Sequence, residues 1–443
     1  MKKLTMITIM CAVGYLAGAY LASCGTESES EPFNGSGMDS DSGVASDSGV
    51  AASNMPMGNT TPPDSGTTDD TAGGDSTSEG CYTLTFLGGF NGRIDGEVEQ
   101  CVTSAESSTP VEAIPRSGFT FSHWSDGSTE NPRTITQPEQ ATTLTAQFET
   151  RGLKTVWLGH SFIRWNVELL YDVAKTDAGY DEHQDFMTFS GGANGAPGSL
   201  WANPQKRREA QEMIEALEPD NVVMTYHNVE GTSDYEDYVN WIEDTLAHAP
   251  NARFYISLPW RNQPFDRADP VIDDNGAMDL GAWYDETIFP SFHDTVLAPL
   301  RMDYPDHEFI IIPQAIAADE IHQAHFEGIL TYGDDEQPLY PLNPRTTPRP
   351  DPDYEHEQSM YNDTTGHPGG PLRLLTMMLY LRYIYGVETG SFDFWESKQS
   401  FSNEGLNISN GPKISFNVPY TYYNGFDFTA TADDIFDRYG RGE

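Results

Sequence analysis

Two side chains in this sequence are of the types that together perform nucleophilic chemistry: Ser161, in Leu158-Gly159-His160-Ser161-Phe162, and His367, in Gly366-His367-Pro368. A serine hydroxyl is a poor nucleophile at neutral pH until an adjacent base takes its proton, and imidazole is suited to that task. The chemistry would be attack on an acyl carbon, followed by return of the proton to the leaving group. A carboxylate near the imidazole would hold its tautomer and stabilise the cation that forms, and Asp363 stands in the same polar loop, 362–370. Taken singly, each residue also has a structural reading: Ser161 as a helix N-cap and His367 as a loop or capping histidine.

Residues so far apart in the chain can meet only if the fold brings their loops together. From residue 153 onward, short apolar runs at 154–158, 185–189, 221–226, 253–258 and 308–313 read as parallel strands covered on both faces. Between them, 162–174, 204–217, 235–247 and 283–302 carry helical patterns, and 372–385 reads as a closing helix. This alternation predicts an α/β architecture, a doubly wound parallel five-stranded sheet sandwiched by helices. In such sheets functional groups gather at the carboxyl ends of the strands. Ser161 lies there, between the first strand and the first helix.

Over residues 153–386 the chain resembles the SGNH hydrolases, also called GDSL esterases and lipases, whose fold is flavodoxin-like. Gly159-His160-Ser161-Phe162 is similar to the first block of that family, which implies Ser161 as nucleophile. Ser190-Gly191-Gly192-Ala193-Asn194-Gly195 resembles the second block and implies Gly192 as an oxyanion donor, alongside the Ser161 N–H. Tyr226-His227-Asn228 resembles the third block and implies Asn228 as a side-chain donor, while His367 matches the final histidine. The chain departs from the pattern in three places: His160 replaces an aspartate, Tyr226 and Val229 flank Asn228, and Asp363 precedes His367 by four residues instead of three. Asp353, Glu355 or a Ser-His dyad are the alternatives for the acid.

The rest of the 443 residues surrounds this region with other sequence types. Lys2 and Lys3 followed by an apolar stretch over 4–21 read as an export signal. Leu21-Ala22-Ser23-Cys24-Gly25 resembles the bacterial lipobox, implying cleavage of 1–23, acylation of Cys24 and anchoring at the outer membrane or cell surface. An uncleaved signal anchor is the alternative. Residues 24–80, rich in Ser, Gly, Asp and Thr, lack the apolar area to offset chain entropy and read as a disordered tether. Of the four cysteines Cys11 leaves with the signal and Cys24 is acylated, so Cys81 and Cys101 remain to form one disulfide outside the cytoplasm.

Residues 81–150 alternate in short runs, the pattern of a small all-β module. Its Gly118-Phe119-Thr120-Phe121-Ser122-His123-Trp124-Ser125-Asp126-Gly127 stretch resembles the internalin-B-like bacterial repeat, a spacer or adhesion element. Trp124 reads as a core aromatic, with a glycan-stacking platform as the alternative. The tail 391–443 forms a C-terminal extension of unassigned role.

Sixty-eight acidic residues against 24 basic ones give a formal charge of −44, which argues against nucleic-acid partners. No phosphate-cradling or dinucleotide glycine pattern occurs, and no cofactor is expected. His322, His325 and Glu327 lack a metal-site pattern and read as solvated polar residues, so no metal is expected either. The combined expectation is a lipid-anchored serine esterase acting on an extracellular acyl or acetyl ester of a carbohydrate or lipid. The alternative is a surface-binding lipoprotein with a degenerate SGNH domain.

Overall fold

Strands that alternate polar and apolar residues can bury one face against a small core, and residues 81–149 do so. In the computed structural model, which describes residues 80–176, 178–261, 279–333, 337–338, 360–361, 365–391, 407–408 and 423–440, this segment holds six strands. They are β1 (Cys81–Leu87), β2 (Gly92–Asp95), β3 (Glu99–Thr103), β4 (Glu112–Pro115), β5 (Thr120–Trp124) and β6 (Thr142–Glu149). Four form a sheet in the order β3-β1-β6-β5, and β2 pairs with β4. Leu84, Phe86, Val102 and Leu144 close over Trp124, which is fully buried and donates its indole N–H to the Glu130 carbonyl at 2.9 Å. Trp124 is therefore a core aromatic, not a stacking platform. Cys81 and Cys101 form a disulfide between the neighbouring strands β1 and β3.

The five apolar runs downstream form β7 (Lys154–Gly159), β8 (Gln184–Phe189), β9 (Asn221–Thr225), β10 (Arg253–Ser257) and β11 (Phe309–Ile312). All pair in parallel, in the order β11-β10-β9-β7-β8. Every residue of β9, β10 and β11 is buried, as a sheet covered on both faces requires. The crossovers are α1 (Ser161–Thr176), α2 (Pro197–Ala202) with α3 (Pro204–Leu217), and α4 (Tyr235–His248). Then come α5 (Leu280–Trp283), α6 (Phe289–Phe292) and α7 (Ala298–Asp303), joined end to end by π-helical turns at Tyr284–Ile288 and His293–Leu297. Each π-turn runs into a proline, Pro290 or Pro299, whose missing N–H breaks the regular ladder.

Helix α8 (Gln314–Phe326) follows β11, and α9 (Gly370–Tyr385) is buried along all but one of its 16 residues. A helix apolar all round must be covered all round. The sheet lies on one side of it and α1, α8 and α10 (Phe428–Tyr439) on others. Two stretches of the C-terminal extension thus join the α/β domain. Asn407–Ile408 adds a two-residue strand in parallel to β8, and α10 inserts Phe428, Ala432 and Ile435 into the core.

The sequence readings for 1–23, for Cys24, for the tether up to residue 79 and for Asp363, Asp353 and Glu355 fall outside the described residues. Among the described residues no helix is long and apolar enough to cross a membrane.

Candidate active site

The strand order places the loops that follow β7 and β9 side by side, where the crossovers leave in opposite directions. Strand β7 ends at Gly159, where no side chain fits. An added Cβ would lie 2.4 Å from Ile163 Cδ1 and 2.5 Å from Thr225 Oγ1. The chain turns at once into α1, whose first residue is Ser161, half-buried at a helix N-terminus that favours developing negative charge.

His160 makes the turn. The Phe162 N–H donates to its Nδ1 at 3.4 Å, and its Nε2 lies 3.2 Å from the Tyr226 carbonyl oxygen. Because Nδ1 accepts, Nε2 carries the hydrogen and donates to Tyr226. Burial pushes His160 down to about 3, so the ring is neutral. Where the resembled family has an aspartate, the imidazole accepts the helix N–H as a carboxylate would and also donates, which an ionised carboxylate cannot.

His367 comes from the turn before α9, and that turn is held at several points. Gly366 adopts a left-handed φ of +96°, accessible to glycine at little cost. Its carbonyl accepts from the Trp260 indole N–H at 2.8 Å. The Gly369 N–H donates to the Met360 carbonyl at 2.6 Å, and Arg373 donates to the Pro368 carbonyl at 2.9 Å. Tyr361 and Pro368 pair as an antiparallel bridge, so the Met360 carbonyl and the Gly369 N–H meet across two short extended segments. Trp260 in turn stacks on Phe162, with ring centroids 5.0 Å apart and planes 17° from parallel. The Ser161 turn and the histidine turn therefore share one aromatic brace. His367 Nε2 lies 2.6 Å from Ser161 Oγ. With the serine O–H donating, Nε2 is the acceptor and the ring hydrogen sits on Nδ1.

The other residues singled out from the sequence lie around this pair. Gly192 is half-buried at φ +52° and opens a short helical turn, Gly192–Gly195. The close approach is made by Gly195, whose added Cβ would lie 2.6 Å from the Gly159 carbonyl and 2.7 Å from His160 Cβ. The glycine loop after β8 is thus pressed against the Ser161 turn through Gly195, a role that the glycine pattern alone does not assign. Asn228 is exposed in the loop after β9 and lines a small cleft with His160, Phe162, Trp260, Arg261 and Trp283. That loop is ordered locally: the Val229 N–H donates to His227 Nδ1 at 3.2 Å and the His227 N–H to Ser233 Oγ at 3.0 Å. Burial lowers the His227 pKa and raises that of Tyr226.

Trp260 is the residue that motif reading misses, although an aromatic just past the end of an apolar strand is a readable signal. His322 corrects the reading as a solvated residue: it is buried, with Nε2 3.0 Å from the Tyr361 hydroxyl, and so backs the histidine turn. Among the described residues no group of histidine, cysteine and carboxylate side chains is placed to hold a metal ion. A larger cavity, about 910 Å³, is lined by Lys154, Gln184 and Asp220 at the amino ends of the strands, the opposite edge of the sheet from Ser161.

No curated protein matches the chain in sequence. Among solved structures it is similar to the periplasmic domain of a lipopolysaccharide acetyltransferase from Salmonella ser. Paratyphi A, at 11% identity and a TM-score of 0.32, over 54% of this chain and 85% of that one. Residues 82–152 match the family model of the divergent InlB B-repeat domain.

Proposed function

We propose that residues 153–386 form an SGNH-type serine hydrolase acting on an ester, carried by an exported protein that Cys24 anchors to the outer membrane or cell surface. The observation that carries this reading is the 2.6 Å contact between Ser161 Oγ and His367 Nε2 at the carboxyl edge of a parallel sheet. His367 takes the hydroxyl proton as Ser161 attacks the ester carbonyl, then passes it to the departing alkoxide. Water attacks the resulting acyl-serine by the same route in reverse. The oxyanion is held by the N–H groups of Ser161 and Gly192 and by the Asn228 amide, each such donor contributing about 3 to 4 kcal/mol in the transition state. Asp363 is the proposed acid of the triad. The substrate is an extracellular acyl or acetyl ester of a carbohydrate or lipid.

A fluorophosphonate probe tests the reading, because it reacts only with an activated serine. Wild type is expected to label, and Ser161→Ala to remain folded and unlabelled. A folded wild type that takes no label would instead indicate a surface-binding protein without catalysis.

A further inference from the structure

His160 touches three of the four loops from which the proposed mechanism draws its groups, all but the turn that carries His367. It belongs to the nucleophile turn itself and is 2% exposed. Gly195 of the loop after β8 packs against its Cβ, so closely that a side chain there would not fit. Its Nε2 meets the Tyr226 carbonyl, two residues before Asn228, at 3.2 Å. Its ring stands edge to face with His227 of the same loop, centroids 5.4 Å apart and planes at 80°. A capping side chain needs only one acceptor, which Nδ1 supplies to the Phe162 N–H. The second hydrogen bond therefore does something capping does not require.

We propose that His160 is a positioning residue, whose Nε2–H tethers the 226–228 loop to the nucleophile turn and so holds Asn228 at a set distance from Ser161. The inference rests on the hydrolase reading for its catalytic consequence, but the tether itself is a property of the loop. A neutral imidazole bridges two backbone groups, the Phe162 N–H of α1 and the Tyr226 carbonyl of the loop after β9. Neither asparagine nor aspartate is long enough to replace both of its nitrogens.

Two variants of the full-length chain divide the two hydrogen bonds. In His160→Asn the amide oxygen stands where Nδ1 stood and the tether is lost. In His160→Gln the amide nitrogen reaches the position of Nε2 and the tether is kept. Loss of one such hydrogen bond should make amide hydrogen exchange over 226–229 faster by about tenfold in His160→Asn, and by less than about threefold in His160→Gln. With p-nitrophenyl acetate as substrate, kcat of His160→Asn should fall about tenfold at nearly constant KM, and His160→Gln should recover most of it. Unchanged exchange over 226–229 in His160→Asn would overturn the tether, as would equal acceleration in both variants, which would show ring packing instead. A wild type without Ser161-dependent turnover would defeat the hydrolase reading while the exchange pattern still decided on the tether. Should neither variant fold, the wild type answers: long-range ¹H–¹⁵N spectra at pH 7 should show the hydrogen of His160 on Nε2, and a hydrogen on Nδ1 would overturn the proposal.

Discussion

Three histidines near Ser161 have the same ionisable ring and differ in what surrounds them. His367 is half-buried beside the hydroxyl, whereas burial holds His160 down to about 3 and also lowers His227. The two lowered histidines set a direction for stability against pH. Between about 3 and 6.5 the unfolded chain binds a proton at residue 160 that the folded chain does not, so stability is full above 6.5 and is lost as pH falls. From this residue the loss is about 1.4 kcal/mol per pH unit in that window. Asp319 acts in the opposite sense, because burial raises it to about 6 and the folded protein keeps its proton where the unfolded chain would release it. Urea midpoints measured from pH 7 to 4.5 should fall, and His160→Asn should flatten that slope. Asn228 is exposed and can be changed without opening the core, so Asn228→Ala should lower kcat by about a hundredfold or more with little loss of stability. A steady-state assay at wild-type rate would remove Asn228 from the mechanism.

At the scale of elements, the site depends on turns braced from outside themselves. The turn before α9 holds His367 through Gly366, and the partner of the Gly366 carbonyl is Trp260, which follows β10. Trp260→Phe would keep the stacking on Phe162 and lose the indole donor. That variant should cost about 1 kcal/mol in stability and lower kcat about threefold to tenfold, read by paired denaturation and kinetic measurements. A turnover unchanged by the substitution would mean that the histidine turn is held without the indole donor, by Arg373 and by its pairing with residues 360 and 361. Behind the site, Gln314 of α8 donates to the Phe162 carbonyl at 3.1 Å and accepts from Ser257 of β10 at 2.9 Å. Buried polar groups satisfied in this way fix where α1 begins relative to the sheet. Apolar periodicity located α1 and α9 but not this network, because a glutamine inside an apolar helix looks the same in sequence whether it is satisfied or orphaned.

Across the whole molecule, the β module and the α/β domain belong to one compact unit. Ser117 donates to Asp220 at 2.6 Å, Asn91 donates to the Tyr385 carbonyl at 2.8 Å, and Arg116 pairs with Glu308. Phe119 of the module is part of the α/β core, with the Arg253 guanidinium over its ring. A repeat fastened in this way should not melt by itself. Calorimetry and tryptophan fluorescence should report one shared transition, and Asp220→Ala should lower it in both signals alike; two separate transitions would show an independent spacer. The sequence by itself determined which segments become the five parallel strands, where the first helix begins and which residue types carry chemistry, since apolar runs, turns and caps depend on near neighbours in the chain. It also marked off the module, whose alternation and glycine turns are local. Only the tertiary structure decided that Ser161 and His367 lie 2.6 Å apart, that Gly195 and not Gly192 makes the close approach, and that His160 joins the loops after β7 and β9. It also decided that residues 407–408 and α10 complete the α/β domain. Those outcomes depend on strand order and on the side to which each crossover turns, and both are settled by how whole elements bury their faces against one another.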